Sequence, residues 1–221
     1  MSNIEVNLID SAGGDISVVN SARVSFNKEV SGMTGRDEKL IKYLAEHQHM
    51  TPFRHNFIQL RCKVPLFLAR QLMKHQAGLT WNEESRRYID YLPEFYTPEK
   101  WRKRPDKSIK QGSSDDELNN YVQESTWLNY SELLNYCKQS YSEMLSDGVA
   151  PEMARMILPQ SMMVNFIWTG NLLAFSHVYN LRSGEGAQVE AREFAELLSK
   201  AVEPAFPISW KALTGSKNGS N

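Results

Sequence analysis

Ile58, Leu60, Cys62 and Val64 alternate with Gln59, Arg61 and Lys63, the period of two that a strand with one buried face requires. That alternation, and its abrupt end at Pro65, constrain the fold more than any other feature of the chain. A proline is tolerated at the first position of a helix, and the apolar residues that follow, Phe67, Leu68, Leu72 and Met73, recur at helical spacing. Arg70, Gln71, Lys74 and His75 fall on neighbouring rows of the same predicted helix, which gives it an apolar body and a rim dense in donors. After Gly78 the chain places Asn82, Glu83, Ser85, Arg86, Arg87 and Tyr88 within seven positions, an inventory suited to gripping a polar anion.

With 221 residues, 41 % of them hydrophobic and 23 % charged, the chain is long enough for one sizeable domain. The expected domain covers residues 1–213, with TGSKNGSN at 214–221 read as a disordered tail. A formal net charge of -1 argues against nucleic-acid binding by bulk electrostatics, which needs many phosphates neutralised. Two cysteines, Cys62 and Cys137, supply neither a metal tetrad nor a disulfide framework and are read as small buried hydrophobes. No secretory signal precedes the first strand, and the apolar runs are too short or too polar to span a bilayer. A cytoplasmic location, the host's if a virus encodes the chain, follows by default.

In chain order, residues 4–9 alternate as a strand, Gly13 and Gly14 form a turn, and Ile16 to Val19 read as a second short strand. Arg23 is read as a surface or salt-bridged arginine, with a role in a site as the alternative. Residues 31–36 form a loop, and Asp37 is expected to cap a helix through Leu40, Ile41 and Leu44. His47 and His49 fall on different sides of that helix, a poor metal pair, and His49 precedes the Thr51-Pro52 turn. Residues 89–117 form a long connection, locally basic at WRKRPDK, whose Tyr91, Phe95, Tyr96 and Trp101 sit as in an ordered loop that packs over something, with a mobile surface excursion as the alternative. Helices are predicted over 117–146, over APEMARMILP and over 161–179, where Met162, Phe166, Thr169, Leu173 and His177 share one side. A final helix carries Ala187, Glu190, Ala191, Phe194 and Leu198.

The common phosphate loops are missing: no GxGxxG follows a strand and GxxxxGK[ST] does not occur. HExxH and cysteine clusters are missing too, so no metal is expected. The candidates are arginines and amides at 70–88 together with Arg155 and Arg182, because a planar guanidinium offers two directed donors to a phosphate or a carbonyl-rich heterocycle. No neighbouring histidine and acid activate Ser85, so its hydroxyl is read as a donor to a ligand phosphate. Residue chemistry alone reaches an anion- or nucleotide-binding enzyme.

Longer blocks carry the reading further: ARVSF at 22–26, TPFRH at 51–55, VPLFLARQLMKHQ at 64–76, WNEESRRY at 81–88, ARMILP at 154–159, Trp168 to Asn171, and NLRSGEGAQVE at 180–190. In this order they resemble the flavin-dependent thymidylate synthase family across nearly the whole chain. The family's Arg-His-Arg triplet stands here as Lys74, His75 and Gln76, one residue further than usual from Ser85, while Asn82, Glu83, Ser85, Arg87 and Tyr88 match its Asn-Glu-x-Ser-x-Arg-Tyr pattern. His177 replaces a usual asparagine and Leu173 a frequent arginine.

The resemblance implies a mixed α/β fold, a central antiparallel-rich sheet with surrounding helices, and a homotetramer with shared sites. It implies methylation of dUMP to dTMP with methylenetetrahydrofolate as one-carbon donor, FAD as cofactor and NADPH as reductant. By that likeness Gln71, Glu83, Ser85, Arg87 and Arg155 hold dUMP. Arg182 binds the uracil ring and is the expected catalytic group. His49, Thr51, Lys74, His75, Gln76, Asn171 and His177 contact FAD. Three alternatives stand beside it: an FAD-binding protein of this fold with altered or lost nucleotide use, a nonenzymatic RNA- or nucleotide-binding protein using the basic loop at 101–107, and a structural oligomer with a dead site.

Overall fold

The computed structural model describes residues 3–105, 112–114 and 116–215. The described residues divide into two compact units: Met1–Ile4, Lys63–Gln71 and Glu83–Phe166 form one, and Glu5–Cys62, Leu72–Asn82 and Ile167–Asn221 form the other. Asp106 and Lys107 of the basic block, and the tail beyond Gly215, lie outside the described residues.

Four strands form one antiparallel sheet, β1 (Glu5–Ala12), β2 (Phe57–Pro65), β3 (Leu79–Glu83) and β4 (Met163–Gly170), in the order β1-β2-β4-β3. The alternation in β2 is borne out: Ile58, Leu60, Cys62 and Val64 are buried, and Phe57 and Arg61 are exposed. β4 corrects the helix expected over 161–179. Val164, Phe166 and Trp168 are buried at a period of two, and the helix, α6 (Leu172–Arg182), begins only after Gly170. The β-branched and aromatic residues here satisfy either period over a short run, and pairing in the sheet selects the extended one. Trp168 then forms the centre of an aromatic cluster, with Trp81, Phe175 and Phe194 at ring distances of 5.3, 5.4 and 6.2 Å.

Three further expectations change in the second unit. The strand at Ile16 to Val19 is part of a helix, α1 (Gly14–Arg23), with Val18 and Val19 buried on one side. The helix α2 (Gly35–Glu46) is capped by Thr34, and Asp37 is its third residue, completing a capping box. Asp37 accepts from Thr34 N at 2.9 Å and Thr34 Oγ1 at 2.6 Å, and pairs with Arg23, as expected for that arginine. The donors from Thr34 and the Arg23 charge hold its carboxyl below the usual range, although burial opposes them. The last helices are α7 (Val189–Val202) and α8 (Pro207–Thr214); α8 escapes the sequence reading, and Thr214, assigned to the tail, ends it. Phe206 cannot cap α8, so buried Asp15 does, accepting from Ile208 N at 2.9 Å and Ser209 N at 2.8 Å.

In the first unit, α3 (Leu66–Leu72) starts after Pro65, and Leu66 N and Phe67 N are tied to Met162 O and Gln160 O. It stops at Leu72, so Met73, Lys74 and His75 are not on it. The 27-residue α4 (Asn120–Ser146) is capped by the Asn119 side chain and buries Leu134, Cys137 and Tyr141, whereas Tyr121 and Leu128 of the expected apolar face are exposed. Both cysteines are buried, as read. The long connection is ordered where described. Tyr96 N bonds Ser161 O, Trp101 exchanges two backbone bonds with the Gln123 amide, and its ring meets Trp127 and Tyr130 edge to face. The short α5 (Pro151–Ala154) begins on a proline as expected.

Replacing Trp168 with alanine is expected to destabilise the protein by about 3–5 kcal/mol, the range for deleting a large buried aromatic. Asp15→Ala removes two charge-assisted bonds and is expected to cost about 1.5–3 kcal/mol, with Asp15→Asn recovering part of it. Urea unfolding midpoints at pH 7 read both.

Candidate functional site

Two groups of side chains emerge, one in each unit. In the second unit, the turn after α3 closes with His75 N on Leu72 O at 3.0 Å and Leu79 N on Gln76 O at 3.2 Å. Lys74, His75 and Gln76 therefore ride on a turn. The turn carries half-buried His75 to the last residue of α6, where Arg182 Nε donates to His75 Nε2 at 3.1 Å. Burial, then the charges of Arg182 and His177, push the His75 imidazole below the ordinary histidine range and keep the neutral form. Burial also pulls the Arg182 guanidinium down, though a guanidinium stays charged at any working pH.

The turn also forms one wall of a cavity of about 150 Å³ lined by Arg54, Ala77, Gly78, Asn171, Leu173, Ala174 and His177. Its shape depends on two glycines. A Cβ on Gly170 would stand 2.5 Å from Leu79 Cδ2 and 2.6 Å from Gly78 O, and one on Gly78 would stand 2.8 Å from Asn171 Nδ2. Asn171 caps α6, its Oδ1 accepting from Ala174 N at 2.9 Å. Asn171 and His177 both line this cavity. His49, Thr51, Lys74 and Gln76 are not among its lining residues.

His49 owes its place to the end of α2. Gln48 adopts φ 59°, and His49 N bonds Leu44 O at 2.8 Å while Gln48 N bonds Ala45 O at 3.3 Å, a helix stop that ordinarily uses glycine. Its ring lies 6.1 Å from Tyr43, and His47 stacks closer on the same tyrosine at 4.0 Å. Among the described residues no cluster of histidine, cysteine and carboxylate could hold a metal ion.

In the first unit, Ser85 opens a tight turn: Tyr88 N bonds Ser85 O at 3.0 Å and Arg87 N bonds Ser85 Oγ at 3.3 Å. Glu84 anchors it, its backbone on Asn165 O and its carboxylate accepting from Asn165 Nδ2 at 3.0 Å. The two adjacent arginines then separate. Arg86 is buried, donates to Tyr91 O and lies 4.5 Å over the Tyr91 ring. Arg87 points outward, with Nε 3.6 Å from the Glu152 carboxylate, while Arg155 Nε donates to Glu152 O at 3.3 Å. Arg87 thus meets the Glu152 carboxylate and Arg155 the Glu152 main-chain carbonyl, while Ser85 Oγ accepts from the Arg87 backbone. Gln71 is half-buried near the end of α3, and Glu83 ends β3, exposed.

Sequence reasoning passed over Arg54 and Glu152. Arg54 lies inside the quoted TPFRH block, and Glu152 sits three positions before Arg155 at the start of a helix. Both positions were visible, but what each side chain faces was not.

Residues 7–208 match the family profile described as thymidylate synthase complementing protein. The chain is 38 % identical over 212 residues to the flavin-dependent thymidylate synthase of Kosmotoga olearia, covering 94 % of this chain and 88 % of that one. It is 34 % identical over 213 residues to an enzyme of the same name from Thermus thermophilus, covering 94 % and 74 %. Among solved structures, a UMP/dUMP methylase from Streptomyces cacaoi bound with 5-Br UMP superposes with a TM-score of 0.83 at 28 % identity, covering 97 % of this chain and 95 % of that one.

Gly78→Ala tests the cavity wall. With φ at +74° and a Cβ 2.8 Å from the capping amide, the substitution is expected to cost at least about 1–2 kcal/mol. Gly184→Ala, whose methyl meets nothing within 4 Å, is the near-neutral control in the same urea series.

Proposed function

The chain belongs to the thymidylate synthase complementing protein family, and from that premise we propose that it converts dUMP to dTMP with methylenetetrahydrofolate as one-carbon donor, FAD as cofactor and NADPH as reductant. The observation that carries this reading is the extent of the match, 94 % of the chain against a relative named flavin-dependent thymidylate synthase. The geometry of each unit supports it.

In the first unit Ser85, Arg87 and Arg155 supply the donor types a phosphate monoester takes, a hydroxyl and two guanidinium groups, with both arginines tied to Glu152. In this reading they hold the dUMP phosphate, with Gln71 and Glu83 on the same nucleotide. Arg182 binds the uracil ring and offsets the negative charge that builds on it as C5 becomes nucleophilic. Holding the ring still is a large part of the rate, since a fixed geometry replaces an encounter between separate molecules.

Arg54, Asn171 and His177 around a glycine-walled cavity suit the polar end of a flavin dinucleotide. A volume of about 150 Å³ admits only part of such a molecule, because complete small-molecule sites run to about 300–1,000 Å³. His49, Thr51, Lys74, His75 and Gln76 are assigned to the remainder. When bound and reduced, the flavin supplies the hydride that completes the methyl group. Lys74 and Gln76 leave this chain one fixed charge where the family triplet carries two, and Arg54 of the Thr51–Arg54 turn adds a cation to the cavity lining.

A homotetramer goes with the reading. Leu128 is 63 % exposed on α4 and stands nine residues, about two and a half turns, before buried Cys137, on the opposite face of the helix. Tyr121 and Tyr136 share that side, and a second copy is the expected cover. Among the described residues no helix is long and apolar enough to cross a membrane, and the assigned location is the cytoplasm.

The deciding experiment is an anaerobic assay with FAD, NADPH, methylenetetrahydrofolate and dUMP that follows dTMP directly. UMP runs in parallel because the structural neighbour is named for both nucleotides. Product is expected with dUMP, and Arg182→Ala is expected to lose at least about a hundredfold in kcat. Flavin reduction without any methylated product would replace this reading with that of a flavoprotein of altered substrate use. For assembly, sedimentation velocity is expected to give a tetramer for the wild type and smaller species for Leu128→Glu; a monomeric wild type ends the tetramer assignment.

A further inference from the structure

Arg182 and His75 meet in one specific way: the guanidinium donates through Nε, and the imidazole accepts through Nε2, at 3.1 Å. A ring nitrogen accepts only while it carries no proton. In this contact the single proton of neutral His75 therefore resides on Nδ1. The bond has a mechanical effect as well, because a planar guanidinium fixed at Nε can no longer swing about its last side-chain torsion, so the edge bearing the two Nη atoms takes a set direction. Leu72 and Gln76 hold the turn beneath His75, and α6 holds Arg182 at its last residue, so both partners stand on anchored backbone.

The ionisable groups that act on the imidazole are Arg182 and His177, both on α6. Arg182 is a permanent cation. If His75 took up a proton, Nε2 would turn from acceptor to donor and face a donor. Two cations would then oppose each other at hydrogen-bond distance in a half-buried place. The contact cannot survive that change, and Arg182 must move.

We propose that His75 is a positioning residue that aims the Arg182 guanidinium at the uracil ring of dUMP and releases it on protonation, so that nucleotide binding is lost in acid. The inference rests on the reading that Arg182 binds uracil. It gives His75 a second task beside the flavin contact assigned above. It also explains how a chain with lysine and glutamine on either side of this histidine keeps a use for the imidazole, since the Arg182 Nε–H needs an acceptor and an ammonium offers none. Burial and both neighbouring charges depress the imidazole's proton affinity, so the acceptor form prevails at neutral pH and the release belongs below the ordinary histidine range of about 6.5.

Two measurements on the full chain test this. The first is a nitrogen-15 spectrum of histidine-labelled protein, in which the His75 signals among five histidines are identified by their loss in His75→Gln. The expected result at pH 8 is a proton on Nδ1, with a titration midpoint that rises in Arg182→Met as the neighbouring charge is removed. A proton on Nε2 at pH 8 overturns the proposal. The second is calorimetric dUMP binding to the FAD-loaded protein from pH 8.5 to 5.5, wild type against His75→Gln. Glutamine keeps an acceptor oxygen and has no proton to gain, and the ionisation of the dUMP phosphate is common to both proteins and cancels in the ratio.

Below the imidazole midpoint, wild-type affinity is expected to fall about tenfold per pH unit relative to His75→Gln, following the fraction of neutral ring. Parallel profiles overturn the proposal. If neither protein binds dUMP at any pH, the uracil reading of Arg182 fails. The spectrum then decides by itself whether the histidine holds the arginine.

Discussion

Gly170 and Gly78 meet where no side chain could stand, and the candidate flavin site depends on that approach. The end of β4 lies against the start of β3 closely enough that a Cβ on Gly170 would fall 2.6 Å from a backbone oxygen. Three consequences follow. The chain must leave β4 at Asn171, which becomes the cap of α6. The turn from Leu72 must arrive at Gly78 with positive φ, and this puts His75 at the far end of α6 beside Arg182. The gap that remains is the small cavity. One steric limit thus sets the positions of an amide, two imidazoles and a guanidinium.

Adjacent Arg86 and Arg87 show how one dipeptide serves both structure and site. Burying a guanidinium is costly unless its donors are used and its plane is covered. Arg86 meets those terms in part, through Tyr91 O, the Tyr91 ring and the nearby Glu84 carboxylate at 3.9 Å, while its buried Nε has no hydrogen-bond partner. It fixes the turn, and the next residue must then point the other way. Arg87 is presented outward because its neighbour is tied inward, and Glu152 connects it with Arg155. The Glu152 carboxylate competes for Arg87 with any anion that binds there, whereas Arg155 is held by the Glu152 main-chain carbonyl.

The parts of the fold legible in the sequence were those in which local preference and packing agree. β2 announced itself because its alternation and the terminating proline select the same structure. α4 was found as an element, but its buried side was not, since tyrosine and leucine recur around much of its circumference and only contacts distinguish Leu134 from Leu128. β4 was mistaken for a helix because its apolar run is compatible with both periods. β3 was passed over because five residues beside a polar motif look like loop until a neighbouring strand pairs with them. In the candidate site, the residues came from likeness to a family, whereas the pairing of Arg182 with His75 joins positions 107 residues apart, which no local pattern reports. Arg54 and Glu152 were missed for the same reason: their importance lies in what they face.

Asp15 accepts from the first turn of α8 across 193 and 194 positions of chain. The second unit therefore closes on itself with material from near both ends of the described chain, a contact of very high sequence separation. During synthesis its early helix waits, carrying a carboxylate that is meant for an interior, until the last helix has been made. Completion of this unit is therefore a late event in the life of the nascent chain, and the loop entropy of that long closure is met only when nearly every other contact of the unit is already in place.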